Sequence, residues 1–180
     1  MLGAYYPHRF ADVILNSDYE LRQEIDEVIH SIEFQDVSRR YEEENARRQE
    51  LGKKLLQGKQ TVINTMFREQ FGRRGWQDEF SVFNDPDNDM KIDFWKRKIG
   101  IDVAFSHRSY IGGDLLRLQA GAEVKNVIKV GVYITPTQSF AKLVSPKDAS
   151  SMANYERAKW YLENFYVVLT VPILLIGLKE

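Results

Sequence analysis

The segment VVLTVPILLIGL, residues 167–178, constrains the fold of this chain more than any other. Its 12 residues are almost wholly apolar and are interrupted by Pro172. A membrane-spanning helix needs about 20 apolar residues, so no membrane span is expected here. A short apolar run of this kind predicts a strand in the middle of a sheet that is covered on both faces. A second strand is expected where Ile128, Val130, Val132 and Ile134 alternate with Lys129, Gly131 and Tyr133, a half-buried pattern that stops at Pro136.

Helical patterns surround these strands. Ser17 and Glu20 have capping-box spacing, and Leu21, Ile25, Val28 and Ile32 then recur at helical intervals, which predicts a helix over 18–33. Val62, Met66 and Phe67 predict a second helix over 60–71, closed by Gly72. A short one is expected at Leu115, Leu116 and Leu118 after the Gly112–Gly113 break, and a last one at Tyr155, Ala158, Leu162 and Phe165. The stretch TQSFAKLVSPKDASSMA reads as a long loop, and NDPDND, residues 84–89, as a polar turn. Helices flanking a mixed central sheet give an α/β (α+β) layered fold. One domain over residues 1–180 is expected, with a charged segment at about 38–59 that is either a solvated helix or a mobile insertion.

Composition narrows the chemistry. The chain has no cysteine, which excludes disulfides and thiolate metal sites and is compatible with a cytoplasmic location. His8, His30 and His107 are too scattered for a zinc cluster. The first 20 residues lack the basic and small-residue features of a secretory signal. A formal charge of -1 is no advertisement for nucleic acid, yet it conceals basic doublets such as Arg39–Arg40 and Arg73–Arg74 and the run Lys96–Arg97–Lys98.

The stretch KIDFWKRKIGIDVAF, residues 91–105, predicts a β-hairpin that reverses around Arg97 and Lys98. Ile92 and Phe94 are expected on one face of its first strand, and Ile99, Ile101, Val103 and Phe105 on one face of its second. The register sets Asp93 against Asp102 with Cβ atoms about 5 Å apart. Like charges at that distance oppose hairpin formation, whereas a divalent cation between them would reconcile them.

A metal-dependent phosphodiesterase needs acidic ligands on rigid strands, commonly one acid on the first strand of a hairpin and an acid-x-lysine triplet on the next. With Asp93 and Asp102 as the acids, Ala104 occupies the third position and supplies no functional group. Alternatively Asp102 is the first acid and Glu123–Val124–Lys125 is the triplet, although Glu123 follows a predicted helix instead of lying on the adjoining strand.

The stretch IDFWKRKIGIDVAFSHRSY resembles the active-site hairpin of the BglII and BstYI family of type II restriction endonucleases. HRFADVILNSDYELRQEIDEVIHSI, FREQFGRRGW, IKVGVYITP, NYERAKWYLENF and VPILLIGL extend the resemblance in matching order, weakest from Arg39 to Lys59. It implies a homodimeric, Mg2+-dependent endonuclease that cuts short palindromic sites in double-stranded DNA. Asp93 would be the main metal ligand, Asp102 would replace the family's Glu, and the Val103 carbonyl would complete the inner shell. Ala104 replaces a Gln outright, with Lys98 or Gln119 as candidates to fill its role. Ser106, His107 and Arg108 after the hairpin, and Lys147, Ser150 and Ser151 in the later loop, are the implied DNA contacts. The competing expectations are a DNA-binding relative that has lost catalysis through Asp102 and Ala104, and a structural domain in which the two acids only solvate the hairpin.

Overall fold

In the computed structural model, which describes residues 1–85, 87 and 90–180, six strands form one sheet in the order β1-β6-β5-β4-β3-β2. The strands are β1 (Leu2–His8), β2 (Gln77–Ser81), β3 (Lys91–Lys96), β4 (Ile99–Val103), β5 (Val130–Pro136) and β6 (Ile173–Lys179). The central neighbours β4, β5 and β6 run parallel, while β1 on one side and β3 and β2 on the other run antiparallel. The sheet is therefore mixed, as the apolar patterns require.

The helices are α1 (Ala11–Asn16), α2 (Tyr19–Ser31), α3 (Phe34–Glu50), α4 (Gln60–Arg73), α5 (Ile111–Glu123), α6 (Gln138–Val144) and α7 (Tyr155–Asn164). One face of the sheet packs Ile101, Val132 and Ile176 against Leu15, Ile25, Phe67, Phe71 and Phe140, which come from α1, α2, α4 and α6. On the other face, Tyr133, Ile173 and Leu175 pack against Leu115, Leu118, Ala158 and Leu162 of α5 and α7. With both faces covered, every residue of β5 is buried, not half of them as the alternation predicts, and Lys129 lies just before the strand. Burying a Leu or Ile side chain is worth about 1.5–3 kcal/mol, so these two clusters supply the main stabilising term.

Several local expectations change. The strand predicted from Val167 begins only at Ile173, because Val167 and Val168 lie in an exposed turn and Pro172, with no N–H for a ladder, marks the entry. Ser17 does not cap α2: its hydroxyl donates to the Ile14 carbonyl at 2.6 Å and it closes α1, which ends at Asn16. Residues 138–144 are a helix, not a loop. Thr137 accepts the Phe140 N–H at its start, and Phe140, Ala141 and Val144 are the buried side. The Gly112–Gly113 pair lies inside the first turn of α5, and α4 continues through Gly72 to Arg73, with Gly75 taking the positive φ of 73° beyond it. The charged segment is helical over most of its length. Of α3 only Val37 is buried, and the chain after it is tied back by Tyr41 to the Leu56 carbonyl and by Leu56 N–H to Asn45. The expected turn at 84–89 lies partly outside the described residues.

Candidate active site

The hairpin of β3 and β4 forms in the expected register, with Phe94 opposite Ile101 and Lys96 opposite Ile99. The regular pairing covers residues 94–96 and 99–101, and at Asp93 the side chains take over. The Asp93 N–H donates to Oδ1 of Asp102 at 3.3 Å, and the Val103 N–H donates to Oδ2 of Asp93 at 2.7 Å. Where this exchange replaces the ladder the strand changes face: Phe94 joins the α2/α4 side of the core and Ile92 the α5 side, so the expectation that they share a face fails. Asp93 is partly exposed and Asp102 is buried.

Three groups not singled out in the sequence complete the cluster. Tyr133 of β5 lies beside Asp102 in the parallel register, and its hydroxyl donates to Oδ2 of Asp114 at 2.9 Å. Asp114 opens α5, and one turn later Arg117 places Nη2 2.6 Å from Oδ1 of Asp114 and 3.4 Å from Oδ2 of Asp102. The Asp114–Arg117 spacing of three was readable as a helical ion pair, but nothing in the sequence tied that pair to the hairpin.

Two carboxylates, Asp102 and Asp114, thus contact one guanidinium, and a third, Asp93, acts on it from farther off. Burial pushes the Asp102 carboxyl up to about 8, a shift that Arg117 opposes and that Asp93 and Asp114 reinforce. Asp93 and Asp114 are also raised by burial, against the Val103 N–H at one and Arg117 and Tyr133 at the other. Burial works against the Arg117 charge, but Asp102, Asp114 and Asp93 outweigh it and its pKa rises. The cluster is short of positive charge.

The donor set suits a hard cation. Among the described residues no three His, Cys, Asp or Glu side chains gather as a metal cage. Two carboxylates with a backbone carbonyl and water fit magnesium, which keeps several waters and binds through one or two carboxylates. Oδ1 of Asp93 has no hydrogen-bond partner among the described residues, so it is the oxygen most open to such an ion.

The guesses for the third group point elsewhere. Lys98 Nζ reaches Asn126 at 3.3 Å beyond the hairpin turn, and Gln119 accepts the N–H groups of Thr170 and Val171. Glu123 accepts the Thr170 hydroxyl, and Lys125 lies over the Phe83 ring, so the Glu123–Lys125 triplet does not sit on the hairpin.

The two stretches implied as DNA contacts are docked on each other. Arg108 N–H donates to the Ser151 carbonyl at 2.7 Å, Ala153 N–H to the Ser106 carbonyl at 2.8 Å, and His107 pairs with Met152 as an isolated bridge. Ser106, His107, Arg108, Lys147 and Ser150 are exposed, and Ser151 is half-buried. The first loop leaves from the end of β4 that carries the acids, and the second, which follows α6, is hydrogen-bonded to it, so Arg108 follows the acids closely in the chain.

This mixed six-stranded sheet with flanking helices has the fold of a restriction endonuclease. The chain belongs to the restriction endonuclease BglII/BglIII family, whose profile matches residues 4–178. Its fold is similar to that in a crystal structure of restriction endonuclease BglII complexed with a DNA 16-mer. The TM-score is 0.72 at 20% identity, covering 100% of this chain and 79% of that one. No curated protein sequence matches it.

Proposed function

We propose that the chain is a type II site-specific deoxyribonuclease that hydrolyses phosphodiester bonds in duplex DNA at a short palindromic site, with magnesium held by Asp93, Asp102 and the Val103 carbonyl. The observation that carries this reading is the convergence of Asp93, Asp102 and Asp114 with a single guanidinium at the end of β4, from which the loop carrying Arg108 leaves. Family membership supports the reaction class.

The protein's own groups do the positioning. The Val103 N–H fixes one oxygen of Asp93 and leaves the other without a hydrogen bond among the described residues. The Asp93 N–H and Arg117 hold the two oxygens of Asp102. Arg108 and Lys147 place the DNA backbone through phosphate contacts, and His107, Ser106, Ser150 and Ser151 lie beside them for further contacts to phosphate or base edges. When bound, magnesium supplies Lewis-acid stabilisation of the phosphoryl oxygens and lowers the pKa of a bound water. Hydrolysis replaces the bond from phosphorus to the 3′ oxygen by an in-line bond from phosphorus to a water oxygen; one water proton ends on the departing 3′ oxygen and the other in solvent, leaving a 3′-hydroxyl and a 5′-phosphate.

The enzyme acts as a homodimer, because a palindromic target matches two-fold symmetry. Leu116, Phe165, Val167 and Val168, all exposed and close together around α5 and the end of α7, offer an apolar face for the second copy. No described helix is long and apolar enough to cross a membrane, and we place the enzyme in the cytoplasm with its DNA substrate.

Ala104 and the shortened acid at Asp102 favour one second reading, a DNA-binding relative without catalysis. Purified protein incubated with plasmid DNA and magnesium decides between them, with light scattering of the same preparation for its mass. The nuclease gives discrete fragments and twice the chain mass. Gel shifts without cutting at any pH or metal support the second reading, and a monomeric mass refutes the dimer.

A further inference from the structure

We infer that Arg117 is a positioning residue of the hydrolytic site: anchored on Asp114, it holds one oxygen of Asp102 and brings from α5 the positive charge that the hairpin lacks at Ala104. The inference rests on the nuclease reading above.

Four features of the structure converge on it. First, both oxygens of Asp102 are engaged, Oδ1 by the Asp93 N–H and Oδ2 by Arg117, so the direction of this carboxylate depends on the guanidinium. Second, the guanidinium is itself held: Asp114 binds it at 2.6 Å, and Asp114 is held by the hydroxyl of the fully buried Tyr133. The chain Tyr133–Asp114–Arg117–Asp102 runs from the middle of the sheet to the acid pair. Third, the geometry is not that of an ion pair built only for stability. A stabilising Arg–carboxylate pair engages two nitrogens side by side. Here Nη2 alone serves two acids, and the buried Nε has no partner among the described residues. Leaving a buried donor unsatisfied costs its full desolvation, which a purely structural contact has no reason to retain.

Fourth, the other cations near the hairpin are committed. Arg68 pairs with Asp78 at 2.8 Å, Lys96 with Glu24 at 2.9 Å, and Arg97 with Asp18 at 2.7 Å. Arg117 is the one basic side chain within 4.0 Å of the acid pair among the described residues. It also lies on the α5 side of the sheet, the side that Ala104 faces.

The test uses single-turnover cleavage of long phage DNA by excess protein in saturating magnesium, with gel-shift binding of the same DNA in calcium and melting temperature as controls. Arg117→Ala is expected to cut about 100-fold more slowly, since a misplacement near 1 Å costs that much. Binding in calcium stays near wild type, so the loss falls on the rate and not on affinity, whereas the melting temperature falls because Asp102 and Asp114 lose their cation, and rates are compared below it. Arg117→Lys, which keeps the charge but loses the fork, recovers about a tenth of the wild-type rate, and added guanidinium partly restores Arg117→Ala. An Arg117→Ala rate within about threefold of wild type overturns the inference, as that is close to no loss of transition-state stabilisation. If Arg117→Ala fails to fold, Arg117→Lys decides, and a full wild-type rate in it overturns the inference too. A wild-type protein that cuts no DNA brings down the nuclease reading and this inference together, whereas cutting by wild type and Arg117→Ala alike brings down the inference alone.

Discussion

Asp102 is a carboxyl buried beside two others, and its pKa is displaced upward from the ordinary carboxylate range to about 8, mainly by burial. The folded protein without metal therefore holds a proton that the unfolded chain has released above pH 4, and folding is favoured most at low pH. That contribution is fully present below the unfolded carboxylate range and is lost as pH rises toward 8. Asp93, raised by burial as well, acts in the same direction. Melting of the metal-free wild type is expected to fall between pH 6 and pH 9 by several degrees, at about 2–4 °C per kcal/mol for a chain of this size. Asp102→Asn has no proton to lose and melts with much less dependence on pH. Magnesium, which binds the ionised form, should raise the wild-type melting temperature more at pH 9 than at pH 6. A wild-type melting temperature that is flat or rising across this interval without metal contradicts the assignment of a buried acid with a raised pKa at this position.

At the scale of elements, the two loops joined by hydrogen bonds between Arg108 and Ser151 and between Ser106 and Ala153 form one surface. If that surface positions phosphates, each basic contact adds a released counterion. Arg108→Ala and Lys147→Ala are each expected to weaken DNA binding and to lower the slope of log affinity against log salt by about 1. Unchanged slopes in both would remove these loops from the interface. The elements also differ in how far the residues announced them. The β3–β4 hairpin was readable because the alternation of Ile99, Ile101 and Val103 and the Arg97–Lys98 turn agree on one register. The edge strands β1 and β2 were not, since Leu2–His8 and Gln77–Ser81 are short and lack a clean alternation of exposed and buried residues. In α6, the Ser, Thr and Lys residues masked a single buried side made by Phe140, Ala141 and Val144. For the site the same division holds. The acid pair is local to one hairpin, whereas Arg117 reaches it only because β4 and β5 run parallel and bring Tyr133, and with it Asp114 of α5, against Asp102.

On the scale of the whole molecule, the sheet sorts function by its ends. Parallel β4, β5 and β6 point their carboxyl ends the same way, and ligands of open α/β sheets bind outside those ends. Asp102 and Val103 finish β4 there, and the loop that follows leads directly into Ser106, His107 and Arg108. The net charge of -1 is compatible with a DNA enzyme, because Arg108 and Lys147 stand exposed on the joined loops while ion pairs such as Arg40–Glu69 and Arg97–Asp18 engage basic groups elsewhere. The proposed activity requires Asp93 and Asp102 to act at one specific sequence in DNA. Its most direct test is to digest a bacterial genome with wild type and with Asp93→Ala in magnesium and to sequence the fragment ends. We expect every wild-type end to fall within one short two-fold symmetric sequence and the variant to leave the DNA whole. Scattered ends, or cutting by Asp93→Ala at the wild-type rate, would contradict it.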